Sequence, residues 1–204
     1  MKPGPGTKQR LLAAAVDLIW QNSYASISVD DICSRAAVNK GSFYYAFKTK
    51  SELAVAAFDA FWNAKRPLLD EIFSSQNDPL QRLDKYCDLV VKGQLDKYAD
   101  TGRMLGCPFC AVGCELSTRD DQIRGKAQEI SNAGIRYLAG ALRDLAGEGN
   151  LPPGTRPDDL ARAIFCYMTG VLMQARIENS PAAVKEIKPG VYRLLGLSVP
   201  AVAG

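Results

Sequence analysis

The chain has 204 residues, 47% hydrophobic and 23% charged, with a net charge of +3 and no histidine. That length supports one substantial core or two unequal ones. No run of about 18 apolar residues occurs, which excludes a membrane-spanning helix. The N-terminal MKPGPGTKQR leads straight into an amphipathic pattern instead of an apolar signal core, so the expected compartment is the cytoplasm. Thiols stay reduced there, and the six cysteines at 33, 87, 107, 110, 114 and 166 are spaced too irregularly to suggest a disulfide framework. Charge is unevenly spread: residues 1–50 carry seven Lys or Arg against three Asp, and the rest of the chain 18 against 19. A basic excess on a small N-terminal segment is the footprint of a nucleic-acid binder, and equally of an ordinary solvated basic face.

Helical periodicity fills nearly the whole sequence. Thr7 reads as an N-cap, and behind it Leu11, Leu12, Ala15, Val16 and Ile19 share one helical face. Ser28-Val-Asp-Asp31 is a capping box opening a short second helix with Ile32 and Ala36. A third short segment starts near Asn39 and runs through Phe43 and Phe47. Thr49-Lys-Ser-Glu52 is a second capping box, followed by a long helix with Phe58, Phe61 and Trp62 in which Pro67 is expected to introduce a kink. Further helices follow Pro79, with breaks at 100–102, 117–121, 147–154 and 179–181. Segment 158–178 is apolar on more than one face, the pattern of a buried helix or a subunit interface. No alternating strand pattern and no internal repeat is found. The expected fold is all-α, with about nine helices.

The two short helices over 28–47, joined by a turn of three or four residues, have helix-turn-helix geometry with the second as the recognition helix. Asn39, Lys40, Ser42, Tyr44 and Tyr45 place donors, a cation and phenols on a short segment, while Phe43 and Phe47, four apart, face inward. Gly41 leaves room for a phosphate at the helix N-terminus, and Lys48, Lys50 and Ser28 add backbone contacts.

Ser28-Val-Asp-Asp-Ile32, Ala36-Ala-Val-Asn-Lys-Gly-Ser-Phe-Tyr44 and Phe47-Lys-Thr-Lys-Ser-Glu-Leu53 resemble the DNA-binding domain of the TetR family of transcriptional regulators. The resemblance is close over about residues 7–53 and rests elsewhere on helix number and length. It departs at Ala37, where the family commonly has Gly, and at Ala46, where it commonly has His. It implies a homodimer in which residues 1–50 bind a near-palindromic double-stranded operator and residues 51–204 bind a small-molecule effector and dimerise. It implies a dimer interface on about 158–178 and 182–196, with Tyr167, Gly170, Val171, Gln174 and Leu194 as contacts. A repressor released by its effector is the commoner mode in that family. No cofactor is called for. The alternative is a helical small-molecule-binding or protein-interaction module that never touches DNA. Catalysis has least support, since no constellation with His or paired carboxylates is present.

Three cysteines crowd into Gly106 to Leu116, GCPFCAVGCEL. A redox Cys-x-x-Cys needs a preceding strand, and a zinc site needs a fourth ligand, which in the absence of histidine would have to be Cys87, Cys166 or a carboxylate such as Glu115. At about 100° per residue Cys107, Cys110 and Cys114 fall on one stripe about 60° wide, facing a core or pocket together. A sharper reading makes one of them, Cys107 first, the sensor of an electrophilic effector, with Arg103 one helical turn before it. The remaining effector-contact candidates are Phe58, Phe61, Trp62, Tyr86, Val90, Phe109, Tyr137, Phe165 and Met168. They suggest an apolar or small uncharged ligand.

Overall fold

Ten helical segments and no strand are found among the described residues, 6–198, of the computed structural model. They are α1 (Thr7–Gln21), α2 (Val29–Ala36), α3 (Lys40–Ala46), α4 (Lys50–Ile72), α5 (Pro79–Thr101), α6 (Pro108–Leu116), α7 (Asp121–Gly147), α8 (Pro157–Glu178), α9 (Pro181–Val184) and α10 (Ile187–Leu195). α9 is a single turn, so nine helices of ordinary length stand beside it. The expected last helix over 182–196 is thus two pieces, interrupted at Lys185 and Glu186. Thr7 is the first helical residue rather than the cap, a place taken by Gly6 without a side-chain bond. Pro67 lies inside α4, which runs through it.

Packing divides the chain into two compact units, Met1–Arg66 with Pro108–Ile130, and Pro67–Cys107 with Ser131–Gly204. In the first, Leu11, Ala15 and Ile19 of α1, Ile32 of α2, Phe43 of α3 and Leu53, Ala57 and Phe58 of α4 are buried. Phe109 of α6 meets Phe58 and Phe61 edge-on at 5.1 and 5.5 Å, and Phe61 meets Trp20 at 5.4 Å. Aromatic pairs in this geometry add about 0.5–1.5 kcal/mol each beyond their area burial, so Phe109 helps fasten α6 to α4.

In the second unit Leu83 and Cys87 of α5, Leu138, Leu142 and Leu145 of α7, Ile164 and Met168 of α8, and Val191 and Leu195 of α10 form one core. The ring of Tyr167 lies where a side chain on Gly190 would stand, and its hydroxyl donates to the Glu186 carbonyl at 2.7 Å. Tyr192 donates to Asp84 at 2.8 Å and Lys188 reaches Asp88 at 3.3 Å, bracing α10 on α5.

The loop between α5 and α6 is pinned residue by residue. Gln94 accepts from the Gly106 N–H at 3.0 Å and donates to its carbonyl at 3.1 Å. Asn179 accepts from the Met104 N–H at 2.9 Å and donates to the Gly102 carbonyl at 3.2 Å, while Arg176 donates to the Leu105 carbonyl at 3.0 Å. Gly102 and Gly106 hold φ values of 67° and 65°, and a Cβ on Gly106 would come within 3.1 Å of the Leu172 carbonyl. Glycine is required there twice over, by backbone and by space.

Candidate nucleic-acid interface

α2 begins with both halves of the expected capping box. The Asp31 N–H donates to the Ser28 hydroxyl oxygen at 3.1 Å, and the Asp31 carboxylate accepts from the Ser28 N–H at 2.7 Å and from its hydroxyl at 2.6 Å. The Ser28 hydroxyl, and then its N–H, hold Asp31 below the ordinary carboxylate range. α2 ends at Ala37, which adopts the left-handed region at φ 51°. The Val38 N–H closes back on the Cys33 carbonyl at 3.0 Å, as in a Schellman motif. Arg10, from α1, donates to the Ala36 and Ala37 carbonyls at 3.3 and 3.1 Å. This staple was not anticipated, and no local signal marks it because its targets lie 26 and 27 residues on.

Asn39 is the N-cap of α3, its side chain accepting from the Ser42 N–H at 2.7 Å. A Cβ on Gly41 would stand 3.3 Å from the Asn39 Oδ1. The glycine therefore also gives room to the cap. Phe43 and Phe47 point inward as expected, 0% and 3% exposed, whereas Tyr44 and Tyr45 are 54% and 96% exposed. Burying both phenylalanines aims the other side of the two-turn helix outward and leaves its phenols in water.

The cations divide into held and presented. Lys40 donates to Asp30 of α2 at 2.8 Å, both side chains exposed, and the carboxylate raises the Lys40 ammonium above its ordinary value. Arg35 pairs with Asp17. Lys48 is exposed. Lys50 corrects the expectation of a phosphate contact: its ammonium donates to the Tyr24 and Ile27 carbonyls at 2.8 and 2.7 Å and sits 4.0 Å from the Tyr24 ring centroid. Burial draws it below the ordinary lysine value, with the Glu115 carboxylate opposing. The second expected capping box is half formed. The Glu52 N–H donates to the Thr49 hydroxyl oxygen at 3.0 Å, but the Glu52 carboxylate accepts from the Lys48 N–H at 2.8 Å instead of that of Thr49.

The cysteine stripe is corrected as well. Helix α6 starts at Pro108, so Cys107 precedes it, and its buried positions are Pro108, Phe109 and Val112. Cys107 and Cys110 are half-buried and Cys114 is exposed. Cys107 packs against the core of the second unit, while Cys110 and Cys114 belong to the first. Arg103 is exposed in a non-helical loop, so it does not stand one helical turn before Cys107. Glu115, weighed as a metal ligand, accepts from the Tyr24 and Ala25 N–H groups at 3.0 and 2.8 Å. Among the described residues no group of three or more His, Cys, Asp or Glu is placed to hold a metal ion, and no helix is long and apolar enough to cross a membrane.

The effector candidates fall into two sets. Phe58, Phe61, Trp62, Phe109, Cys110 and Cys114 lie in the first unit, with Phe58 and Phe109 in its core. Tyr86, Val90, Cys107, Tyr137, Phe165 and Met168 lie in the second, where Phe73 packs 5.3 Å from Tyr86 and 5.2 Å from Tyr137. Of the dimer candidates, Gly170, Gln174 and Leu194 are exposed and Tyr167 and Val171 are half-buried. α8, expected to be a buried helix or part of a subunit interface, leaves Met173 and Ile177 40% and 72% exposed in the single chain.

Two family models match the chain: "Bacterial regulatory proteins, tetR family" over residues 11–57, and "Tetracyclin repressor-like, C-terminal domain" over residues 79–190. Transcriptional regulator AcuR of Cereibacter sphaeroides is 29% identical over 174 residues, covering 85% of this chain and 78% of that protein. HTH-type transcriptional repressor NemR of Escherichia coli is 24% identical over 189 residues, covering 89% and 93%. Among solved structures, regulatory protein TetR from Rhodobacter sphaeroides is similar with a TM-score of 0.82 and 27% identity, covering 92% of this chain and 98% of that one.

Proposed function

Because the chain belongs to the TetR family of bacterial regulatory proteins, and is thus a transcriptional regulator with a helix-turn-helix DNA-binding domain, we propose that it is a homodimeric cytoplasmic repressor. It binds a near-palindromic operator and leaves it when a small-molecule effector binds. The observation that carries the DNA-reading role is α3, which with its C-cap buries Phe43 and Phe47 and presents Tyr44 and Tyr45 near Lys48 and near Lys40, itself paired with Asp30. In the proposed division of labour residues 1–50 read DNA, with Lys40, Ser42, Tyr44, Tyr45 and Lys48 as contacts, while residues 51–204 bind effector and dimerise. Ser28, Asn39 and Gly41 act through their backbone at the two helix N-termini, which favour phosphate.

One short helix reads only a few base pairs, so a twofold pair about 34 Å apart is needed for a long site. The partner face is the outer side of α8 with Leu194 of α10, where Gly170 has nothing within 4 Å of a Cβ position and Met173 and Ile177 are exposed. Repression is favoured over activation by the relative named a repressor. The effector shifts a two-state equilibrium by no more than its differential affinity for the two states. Cys107, Cys110 and Cys114 are the residues through which an electrophilic effector would act.

The test is selection of duplexes from a random pool followed by binding titration at several salt concentrations. A palindromic site whose affinity falls with salt, and falls further in Lys40→Ala and Tyr44→Ala, is expected. A chain that selects no duplex acts instead as a helical interaction module, and one that binds equally well in both variants reads its site through residues other than Lys40 and Tyr44.

A further inference from the structure

We propose that Glu115 and Lys50 are positioning residues for DNA reading, gripping from two sides the segment that joins α1 to α2. This rests on the operator-binding reading above.

In segment 22–28 the Ser26 and Ile27 N–H groups close short turns on the Ser23 and Tyr24 carbonyls at 3.2 and 3.3 Å, and two charged side chains distant in sequence bond further peptide groups of its middle. The two oxygens of Glu115, on α6, accept from the successive N–H groups of Tyr24 and Ala25 at 3.0 and 2.8 Å. The Lys50 ammonium, at the start of α4, donates to the carbonyls of Tyr24 and Ile27 at 2.8 and 2.7 Å. Tyr24 is thereby held at both its N–H and its C=O, with its ring buried. A carboxylate bridging consecutive backbone N–H groups fills the concavity that such groups offer to an anion. Charge-assisted bonds of this kind are about twice as strong as neutral ones and weaken steeply when misaligned. One residue beyond Lys50, the Ser51 hydroxyl donates to Asp120 at 2.6 Å, a second tie between the start of α4 and the turn after α6.

The gripped segment ends at Ser28, the cap that starts α2, so its path sets the direction from which α2 and α3 approach DNA. Two neighbouring features explain why the grip serves position. The segment is already anchored in the first unit by the burial of Tyr24 and Ile27. α6, which the C-terminal family model covers, packs in the same unit as the three DNA-reading helices. Glu115 is thus the point at which α6 holds the reading helices through main-chain bonds, and a shift of either side chain rotates the pair.

The experiment uses the full chain and its selected operator, together with that operator lengthened or shortened by one base pair between half-sites. Wild type is expected to discriminate among the three. Glu115→Gln leaves one carbonyl oxygen facing two N–H groups and is expected to weaken the native operator by about tenfold and to narrow the gap to the respaced duplexes. Lys50→Met is expected to narrow it likewise, and supplies the test if the first variant does not fold. A variant that lowers the thermal midpoint but keeps both the affinity and the spacing preference of wild type, measured well below that midpoint, overturns the inference. Wild type that selects no operator overturns the operator-binding reading itself, a separate outcome.

Discussion

The turn between α2 and α3 and the loop leading into α6 meet one requirement by opposite means. Each fixes a residue at positive φ, Ala37 at 51° and Gly106 at 65°. Around Ala37 the bonds are mostly local: Val38 to Cys33, Ala37 to Ser34, Ser42 to Asn39. Around Gly106 they come from Gln94, Arg176 and Asn179, across 12 to 77 residues of sequence. Local closure is set by residue order alone. Distant closure needs the rest of the second unit in place, and in return makes the loop report on that unit's packing.

The largest effect that would break this contrast is at Gln94, which is buried. Gln94→Leu keeps the volume but strips two bonds from buried Gly106, and should cost about 2–4 kcal/mol in chemical denaturation. Asn39→Ala removes one exposed cap bond and should cost about 1 kcal/mol. If the cap proves the more expensive loss, distant closure is not what holds the second loop.

The same contrast decides what was legible in the sequence. The capping box at Ser28, the inward pair Phe43 and Phe47 and the end of α5 before Gly102 were readable, because caps and i,i+4 spacing act within one or two turns. Lys50 was misread for the opposite reason: a cation beside a recognition helix looks like a phosphate contact until the fold returns the Tyr24 carbonyl to it. Glu115 reads in the sequence only as a candidate metal ligand, since nothing adjacent reveals that two backbone N–H groups await it. The cysteine stripe failed on a signal that was present. Pro108 suits the first turn of a helix, where its missing N–H costs nothing, and this puts Cys107 outside α6. Where the six second-unit effector candidates stand depends wholly on tertiary packing, which periodicity does not encode.

A smaller effect sharpens the comparison from the local side. An L-residue in the left-handed region carries about 1–2 kcal/mol of strain that glycine lacks, partly offset by the greater entropy glycine loses on folding. Ala37→Gly should therefore stabilise the chain by about 0.5–1 kcal/mol. A thermal midpoint raised in that variant, with the Arg10 bonds intact, is the expected result. A lowered midpoint would mean that the Arg10 staple, rather than the backbone of residue 37, sets the turn.

Acid separates the two joints most gently. Asp31 is held below its ordinary value by Ser28, and a carboxylate whose folded pKa is depressed contributes stability that is present above its unfolded pKa and lost as pH falls through the folded one. Protonation removes the negative charge that strengthens the bonds from the Ser28 N–H and hydroxyl, so α2 should lose amide protection as pH drops below about 4. The side chains that pin residues 102–106 are two amides, a guanidinium and the Thr101 hydroxyl, none of which changes charge in that range. Hydrogen exchange between pH 5 and pH 3, corrected for the intrinsic rate, should therefore open the Ile32 amide while leaving those of Met104 and Gly106 closed. Parallel loss at all three would show that the local turn has no independent stability, and that the two joints unfold as one.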